Sequence, residues 1–288
     1  MELIKTTLPK DCEIYDTSDY HYGALNCNRE GLKEIIEMVR SKRSRFLINK
    51  GDSIDAVLPN DKRYASCAMD YRDMLLSPEQ QADAIIHDFM PIRRKILAWG
   101  HGNHEFKLIN THDYGRYIAR QLQVPYGAVM FKIRYEDKDG NLLFKTFHAH
   151  GRGKVPAGAK DPIQRDANRK AWLKRTLEGL SGDCIYMSMG HGHHLINVDP
   201  TTQDQLYITD DGEHLRQNYR TNSKQNSQYI APESRWYSMT GGFLKLFSPP
   251  GSQAIGYGEM AMYTPAEVGC TKIVVQGGQV VQVEKVLV

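Results

Sequence analysis

The sequence predicts an α/β fold, on two observations. Short apolar runs rich in β-branched and aromatic residues alternate with segments whose apolar residues recur every three or four positions. Several of those runs end in glycine-flanked clusters of Asp, Asn and His, and the carboxyl ends of strands are where open α/β sheets place their ligands. With 288 residues the chain is long enough for a sizeable core. It carries no evident internal repeat or low-complexity tract, so a single domain over 1–288 is expected.

The first unit is the run Glu13-Ile14-Tyr15, followed by a helical pattern from about Glu30 to Arg43 with Leu32, Ile35, Ile36 and Val39 on one face. Arg45–Asn49 reads as the second strand, and a longer, mostly helical stretch follows it. Ser77-Pro78-Glu79 opens a helix running to about Met90, because Ser caps and Pro suits the first helical turn. Ile96–Trp99 is a third strand and Asp113–Gln123 a short helix. Val129–Tyr135 and Leu142–His148 flank the turn sequence Asp137-Lys138-Asp139-Gly140-Asn141, which predicts a hairpin. Asp161-Pro162 starts a helix with Ile163, Ala167, Ala171, Leu177 and Leu180 as its apolar positions, and Cys184–Met189 is the next buried strand.

From Asp199 to Pro232 the chain is polar, with Leu206, Tyr207 and Ile208 as its few core candidates, and reads as an excursion. Strands are expected again near Trp236–Met239, Phe243–Phe247, Ile273–Val275 and Val280–Val288, with turns at Pro249-Pro250-Gly251 and Gln276–Gln279.

The formal net charge of +3 points to neither a nucleic-acid binder nor a halophile, so any basic patch must be local. Five cysteines without C-x-x-C spacing and an N-terminus without an apolar signal core suggest a reduced, cytoplasmic protein. No apolar run approaches the roughly 20 residues of a membrane helix.

The chemistry lies in the strand-end clusters: Asp19 with His21, Asp52, Asn103 with His104, His148 or His150, and His191 with His193. In an extended segment His191 and His193 would point the same way, with Gly190 and Gly192 allowing close approach. Gathered at one edge of a parallel-type sheet, these carboxylate, imidazole and amide groups suit Mn, Fe, Zn or Co rather than a thiolate site or an all-oxygen calcium cage. Seven or so ligands exceed one ion and suit two, bridged by one carboxylate, an arrangement that clamps the attacking and leaving oxygens of a phosphoryl displacement. His148 and His150 share a strand face, and their spacing does not separate them.

These motifs resemble the calcineurin-like metallophosphoesterase superfamily. D-x-H at Asp19-Tyr20-His21, G-D-x-x-D at Gly51–Asp55, G-N-H-E at Gly102–Glu105, H-G at His150-Gly151 and G-H-x-H at Gly190–His193 occur in the family's order. Thr240-Gly241-Gly242-Phe243-Leu244, with Tyr257-Gly258-Glu259, Pro265 and Gly269, further resembles phage and prophage metallophosphoesterases.

The resemblance implies a two-sheet sandwich flanked by helices (α/β/β/α) and two divalent transition metal ions, Mn favoured. It implies that Asp19, His21, Asp52 and His193 take the first metal and that Asp52, Asn103, His150 and His191 take the second. Asp52 is then the bridge, offering one oxygen to each ion. A metal-bridging hydroxide would attack phosphorus, and His104 beside Asn103 would stabilise the phosphoryl group or protonate the leaving oxygen. Asp55 is expected to orient a ligand or loop, and the H-G pattern favours His150 over His148. Glu105, His101 and His194 have no necessary role, though Glu105 could orient His104.

Arg152 and Lys154 follow His150 closely enough to bind a phosphodiester backbone. The charges at Arg165, Arg169, Lys170, Lys174 and Arg175 read as the solvated face of a helix. The expected function is a dinuclear-metal phosphoesterase favouring phosphodiesters, nucleic acid such as DNA among them. The alternatives are a phosphomonoesterase or protein phosphatase, and a catalytically silent scaffold.

Overall fold

The structure is a computed structural model that describes residues 1–58, 77–156, 158–201, 205–220, 224–248, 250 and 257–288. The helical stretch expected after Asp55 lies, over 59–76, outside the described residues, and so do Cys67, Pro249 and Gly251.

The chain begins with β1 (Glu2–Thr7) and β2 (Cys12–Thr17), enters α1 (Arg29–Ser41) and returns through β3 (Arg45–Asn49). Then come α2 (Pro78–Phe89), β4 (Ile96–Gly100), the one-turn α3 (Asn103–Phe106), α4 (Tyr114–Leu122) and β5 (Tyr126–Ala128). The hairpin of β6 (Met130–Glu136) and β7 (Leu142–Ala149) leads to α5 (Pro162–Leu177), β8 (Tyr186–Met189) and β9 (Leu195–Val198). After β10 (Gln205–Asp210) and β11 (Leu215–Arg220) the chain closes with β12 (Trp236–Thr240), α6 (Tyr257–Met260), β13 (Gly269–Gln276) and β14 (Gln279–Leu287).

The helices start where their caps dictate. Asn28 accepts the N–H of Gly31, Asp113 that of Arg116 and Asp161 that of Gln164, and Ser77 with Gln80 forms a reciprocal capping box. Each cap satisfies a main-chain donor that the first helical turn would otherwise leave unpaired.

Two six-stranded sheets result, ordered β1-β6-β7-β8-β12-β9 and β14-β13-β2-β3-β4-β5. Strands β2 to β5 run parallel to one another, and so do β7, β8 and β12. The sheets pack face to face on Ile4, Phe131, Ile133 and Phe144 from the first and Ile14, Ile48, Ala98 and Ile273 from the second. Helices α1, α2 and α4 cover the outer face of the second sheet through Leu32, Ile35, Ile85 and Ile118 against Tyr15, Leu47 and Trp99. Helix α5 covers the outer face of the first through Leu173 and Leu177 against Phe147, Met187 and Tyr237. The architecture is therefore α/β/β/α. Burying each large apolar side chain stabilises it by about 1.5–3 kcal/mol relative to leaving it exposed.

Several sequence expectations change. The strand-end clusters come from two sheets, because the parallel runs β2–β4 and β7–β12 end on opposite sides of one seam. In α5 the packing falls to Leu173 and Leu177, while Ile163 is 81% exposed and Leu180, beyond the end of the helix, is 50% exposed; only the later turns of the helix lie over the sheet. Phe243–Phe247 is not a strand. Its main chain bonds the loop after β2, with the N–H of Phe243 donated to the Asp19 carbonyl at 3.0 Å, and it makes only an isolated bridge from Leu244 to Cys27. Within the polar excursion Leu206, Tyr207 and Ile208 belong to β10, which pairs with β11 as a two-stranded ribbon whose Ile208 and Leu215 are exposed.

Candidate metal centre

The loops after β2, β3 and β4 approach one another through glycines. Gly51 has φ of +99°, and a Cβ on it would collide with the main chain of Gly102; a Cβ on Gly102 would in turn meet the Asp52 carboxylate. A side chain at either position would push Asp52 out of place.

Asp19, His21, Asp52, His191 and His193 all adopt left-handed backbone, with φ from 49° to 65°. Each such non-glycine residue costs about 1–3 kcal/mol, and such strain persists where the surroundings over-determine it, often at functional sites. This corrects the alternation argument for His191 and His193. Strand β8 ends at Met189, and tight turns rather than an extended segment aim the two rings.

The side chains converge in two overlapping groups. In the first, His21 Nε2 and His193 Nε2 lie 3.2 Å apart, and Asp19 Oδ1 is 3.4 Å from His193 Nε2 and 3.9 Å from His21 Nε2. In the second, Asn103 Oδ1 lies 3.0 Å from His150 Nε2 and 2.7 Å from His191 Nδ1. Asp52 Oδ2 belongs to both, 3.9 Å from His21 Nε2 and 3.2 Å from His150 Nε2. Its other oxygen, Oδ1, accepts the main-chain N–H of His104 at 2.8 Å. The expectation that Asp52 offers one oxygen to each ion therefore changes: a single oxygen faces both groups.

Ligand bonds of about 2.0–2.2 Å put neighbouring donor atoms roughly 3–3.5 Å apart around a four-coordinate ion. The spacings above lie near that range. Donor atoms of Asp19, His21 and His193 fall within 4.8 Å of one another, and so do those of Asp52, His150 and His191 and those of His21, Asp52 and His104. Mixed N/O donors on buried and half-buried residues fit divalent transition metals. Two acceptors hold the rings: the Lys50 carbonyl accepts from His150 Nδ1 at 3.2 Å, and Asp55 Oδ1 lies 3.2 Å from His21 Nδ1. Each contact leaves the opposite ring nitrogen facing the group, as second partners do in metal sites.

The electrostatics are those of a cluster holding positive charge. Burial opposes the Asp52 carboxylate, yet His150, His104 and His21 hold it well below the usual carboxylate range. Burial likewise opposes the His150 imidazolium, and Asp52 outweighs it to raise the group to about 9. A cation entering here displaces that proton.

His104 is buried, its Nδ1 against the Asp55 carbonyl and its ring edge-on to His21 at 4.5 Å between centroids. Burial lowers its pKa to about 4. Asp19 is braced by Ser18 Oγ and by the His191 amide at 2.9 Å.

His148 is not gathered with these residues. It points into the seam, with Nε2 2.7 Å from Thr146 Oγ1, Nδ1 3.0 Å from Ser188 Oγ, and its ring stacked on Phe131. An i, i+2 pair shares a face but differs in depth, and His148 is the deeper member. Arg152 and Lys154 are exposed on the loop after β7. His101 is turned toward Tyr126 Oη at 3.0 Å and Asp113 at 3.3 Å. On α5 Lys170 pairs with Asp166 at 2.8 Å, whereas Arg169 sits near enough to His194 to help lower its pKa, after burial.

The spacing did not reveal the role of Glu105. Its buried carboxylate accepts the main-chain N–H groups of Asp52, Ser53 and Gly102 rather than orienting His104.

No protein-family model matches the sequence, and no curated protein matches it. Among solved structures, the calcineurin-like phosphoesterase YfkN from Bacillus subtilis is similar over 68% of this chain and 64% of its own, at 15% identity and a TM-score of 0.28. The NAD nucleotidase NadN from Haemophilus influenzae matches over 96% of this chain and 49% of its own, at 12% identity and a TM-score of 0.35. GAP50, the anchor in the inner membrane complex of Plasmodium, matches over 96% and 89%, at 9% identity and a TM-score of 0.30. The chain thus spans about two-thirds of the first of these and about half of the second. By the order of its five motifs and their convergence at one edge of a two-sheet sandwich, the chain resembles the calcineurin-like metallophosphoesterase superfamily.

Proposed function

We propose that the protein is a phosphoric ester hydrolase working with two divalent metal ions, Mn favoured among Mn, Fe, Zn and Co, with phosphodiesters, DNA included, as its preferred substrates. The observation that carries this reading is Asp52 Oδ2, which faces His21 of one donor group and His150 of the other. Asp19, His21, Asp52 and His193 would hold one ion, and Asp52, Asn103, His150 and His191 the other. When bound, such ions supply Lewis-acid polarisation of the phosphoryl oxygens and a nucleophile at neutral pH.

The chain's own residues do the rest. His104, its Nδ1 held by the Asp55 carbonyl, presents its Nε2 edge to the reacting phosphoryl group, stabilising it or returning a proton to the leaving oxygen. Asp55 and the Lys50 carbonyl fix ring orientations. Arg152 and Lys154, exposed just beyond His150, offer cations for the flanking phosphate of a diester. The phage-like tail motif leans the same way by analogy. No helix among the described residues is long and apolar enough to cross a membrane.

The test is metal analysis of the purified protein together with a panel of matched mono- and diesters, including single- and double-stranded DNA. Two ions per chain and a higher kcat/KM on the diester are expected. Asp52→Asn should lower metal content toward one ion or none and abolish turnover. Two retained ions with near wild-type turnover would remove the bridging assignment, and a clear monoester preference would favour the phosphomonoesterase alternative.

A further inference from the structure

The seam between the sheets is apolar over much of its depth and turns polar toward the edge that carries the site. On the inward faces, Ile14 of β2 is followed by Asp16, Ile48 of β3 by Lys50, Phe144 of β7 by Thr146 and His148, and Tyr186 of β8 by Ser188. These polar residues are fully buried. Each strand's polar residue stands two or three positions before a candidate ligand: Asp16 before Asp19, Lys50 before Asp52, His148 before His150, Ser188 before His191.

At Asp16 polar groups of the two sheets meet. Its Oδ1 accepts from Lys50 Nζ at 2.6 Å, within the second sheet. Its Oδ2 accepts the Tyr186 hydroxyl of the first sheet at 2.8 Å and lies 3.5 Å from His148 Nδ1. His148 and Ser188, paired across β7 and β8, bond one another at 3.0 Å. Burial works against the Asp16 charge, and Lys50 with His148 outweighs it, so its carboxyl stays well below the usual carboxylate range.

A buried ion pair is seldom more stabilising than a well-packed apolar replacement, and its best-attested use is to fix register. Apolar packing is non-directional, whereas a hydrogen bond weakens steeply with angle. Register is what this edge requires, since each donor group draws on both sheets: Asp19 and His21 with His193, and Asp52 and Asn103 with His150 and His191.

We infer that Asp16 and Tyr186 are positioning residues, forming a polar pin across the seam that holds the histidines of the first sheet in register with the carboxylates of the second. The inference rests on the metal-centre reading above. It concerns affinity for metal rather than the reaction.

Tyr186→Phe removes only the hydroxyl that reaches Asp16 across the seam. Tyr135→Phe is the control, because the Tyr135 hydroxyl is also fully buried but receives Thr146 Oγ1, at 3.3 Å, within the first sheet. Metal-stripped full-length protein is titrated with Zn²⁺ by calorimetry, and the metal-free melting temperature is recorded for each variant. Tyr186→Phe should weaken Zn²⁺ binding about tenfold, the low end of the loss on removing a partner that touches a ligand, because the pin acts one contact further out. Tyr135→Phe should stay within about twofold of wild type in affinity although its melting temperature also falls. Wild-type affinity in Tyr186→Phe, or equal losses in both variants, overturns the pin. A wild-type protein that takes up no Zn²⁺ overturns the metal-centre reading first, and the pin with it.

Discussion

Glu105 Oε2 accepts the main-chain N–H of Asp52 at 3.0 Å, and the same oxygen accepts that of Gly102 at 3.0 Å. One buried carboxylate thereby ties the loop after β3 to the loop after β4. Its Oε1 takes the N–H of Ser53 at 2.5 Å, so the left-handed turn at Asp52 is held from beneath.

Glu105→Gln keeps the volume but turns an amide N–H₂ toward some of these donors. Leaving buried N–H groups without an acceptor costs about 1–3 kcal/mol. The variant should unfold at lower denaturant by that amount and bind metal more weakly, because Asp52 loses its support. Unchanged denaturation and metal-titration curves would show that Glu105 does not brace the turn.

His150 and His148 make a second comparison. At saturating metal His150→Ala should lose one ion, since its Nε2 stands between Asp52 and Asn103. His148→Ala should retain two ions while losing on the order of 2 kcal/mol or more of stability, from the cavity under Phe131 and the hydrogen bonds that Thr146 and Ser188 lose. Metal stoichiometry by elemental analysis separates them, and a loss of metal confined to His148→Ala would place the ligand two residues earlier.

That pair also marks how far the sequence carried. Strand periodicity put both histidines on one face but said nothing of depth, which depends on where β7 runs out. The motif residues were legible because glycines flank them and strands precede them. The turns that aim them were not, because Asp19, His21, Asp52, His191 and His193 occupy left-handed backbone without being glycine. Strand β9 is only four residues long, and β1 is an edge strand in which Ile4 alone is buried, so neither gave a clear pattern. Glu105 was placed beside His104 by proximity in sequence, whereas its partners beyond Gly102 come from a loop some fifty residues earlier that only the fold brings near.

A third expectation concerns pH, away from the site. Partial burial opposes the Asp183 charge, but hydrogen bonds from Lys132 at 2.5 Å, Lys145 at 2.7 Å and Ser181 at 2.9 Å hold its carboxyl well below the usual range. A depressed folded-state pKa gives stability that is fully present above the unfolded value of about 4 and is lost as pH falls below it. The cluster is only partly buried, its side chains 17–22% exposed, so solvent screening holds the contribution to about 1 kcal/mol. Wild type should therefore be more stable than Asp183→Asn near neutral pH, the gap closing below about pH 4 and shrinking with salt. A gap independent of pH would assign the effect to packing.

The last expectation concerns His104. Its Nδ1 is engaged by the Asp55 carbonyl, which can only accept, so the proton sits on Nδ1 in the neutral ring. Burial lowers the group to about 4, and near pH 7 the Nε2 edge then carries a lone pair rather than a proton. To act as a general acid His104 must gain a proton when the substrate's negative charge arrives, since an anion nearby favours the charged imidazole. His104→Ala should keep both metals and slow kcat by about 10²–10⁴-fold, the span of a positioned acid or electrostatic group. The two roles separate through the leaving group. If His104 protonates the departing oxygen, the loss shrinks for esters whose leaving groups are very acidic, because these depart without a proton. If it stabilises the phosphoryl group instead, good and poor leaving groups suffer equally. Kinetics of wild type and His104→Ala across a series of aryl esters of graded leaving-group pKa decide between them, and a variant as fast as wild type throughout would remove His104 from the reaction.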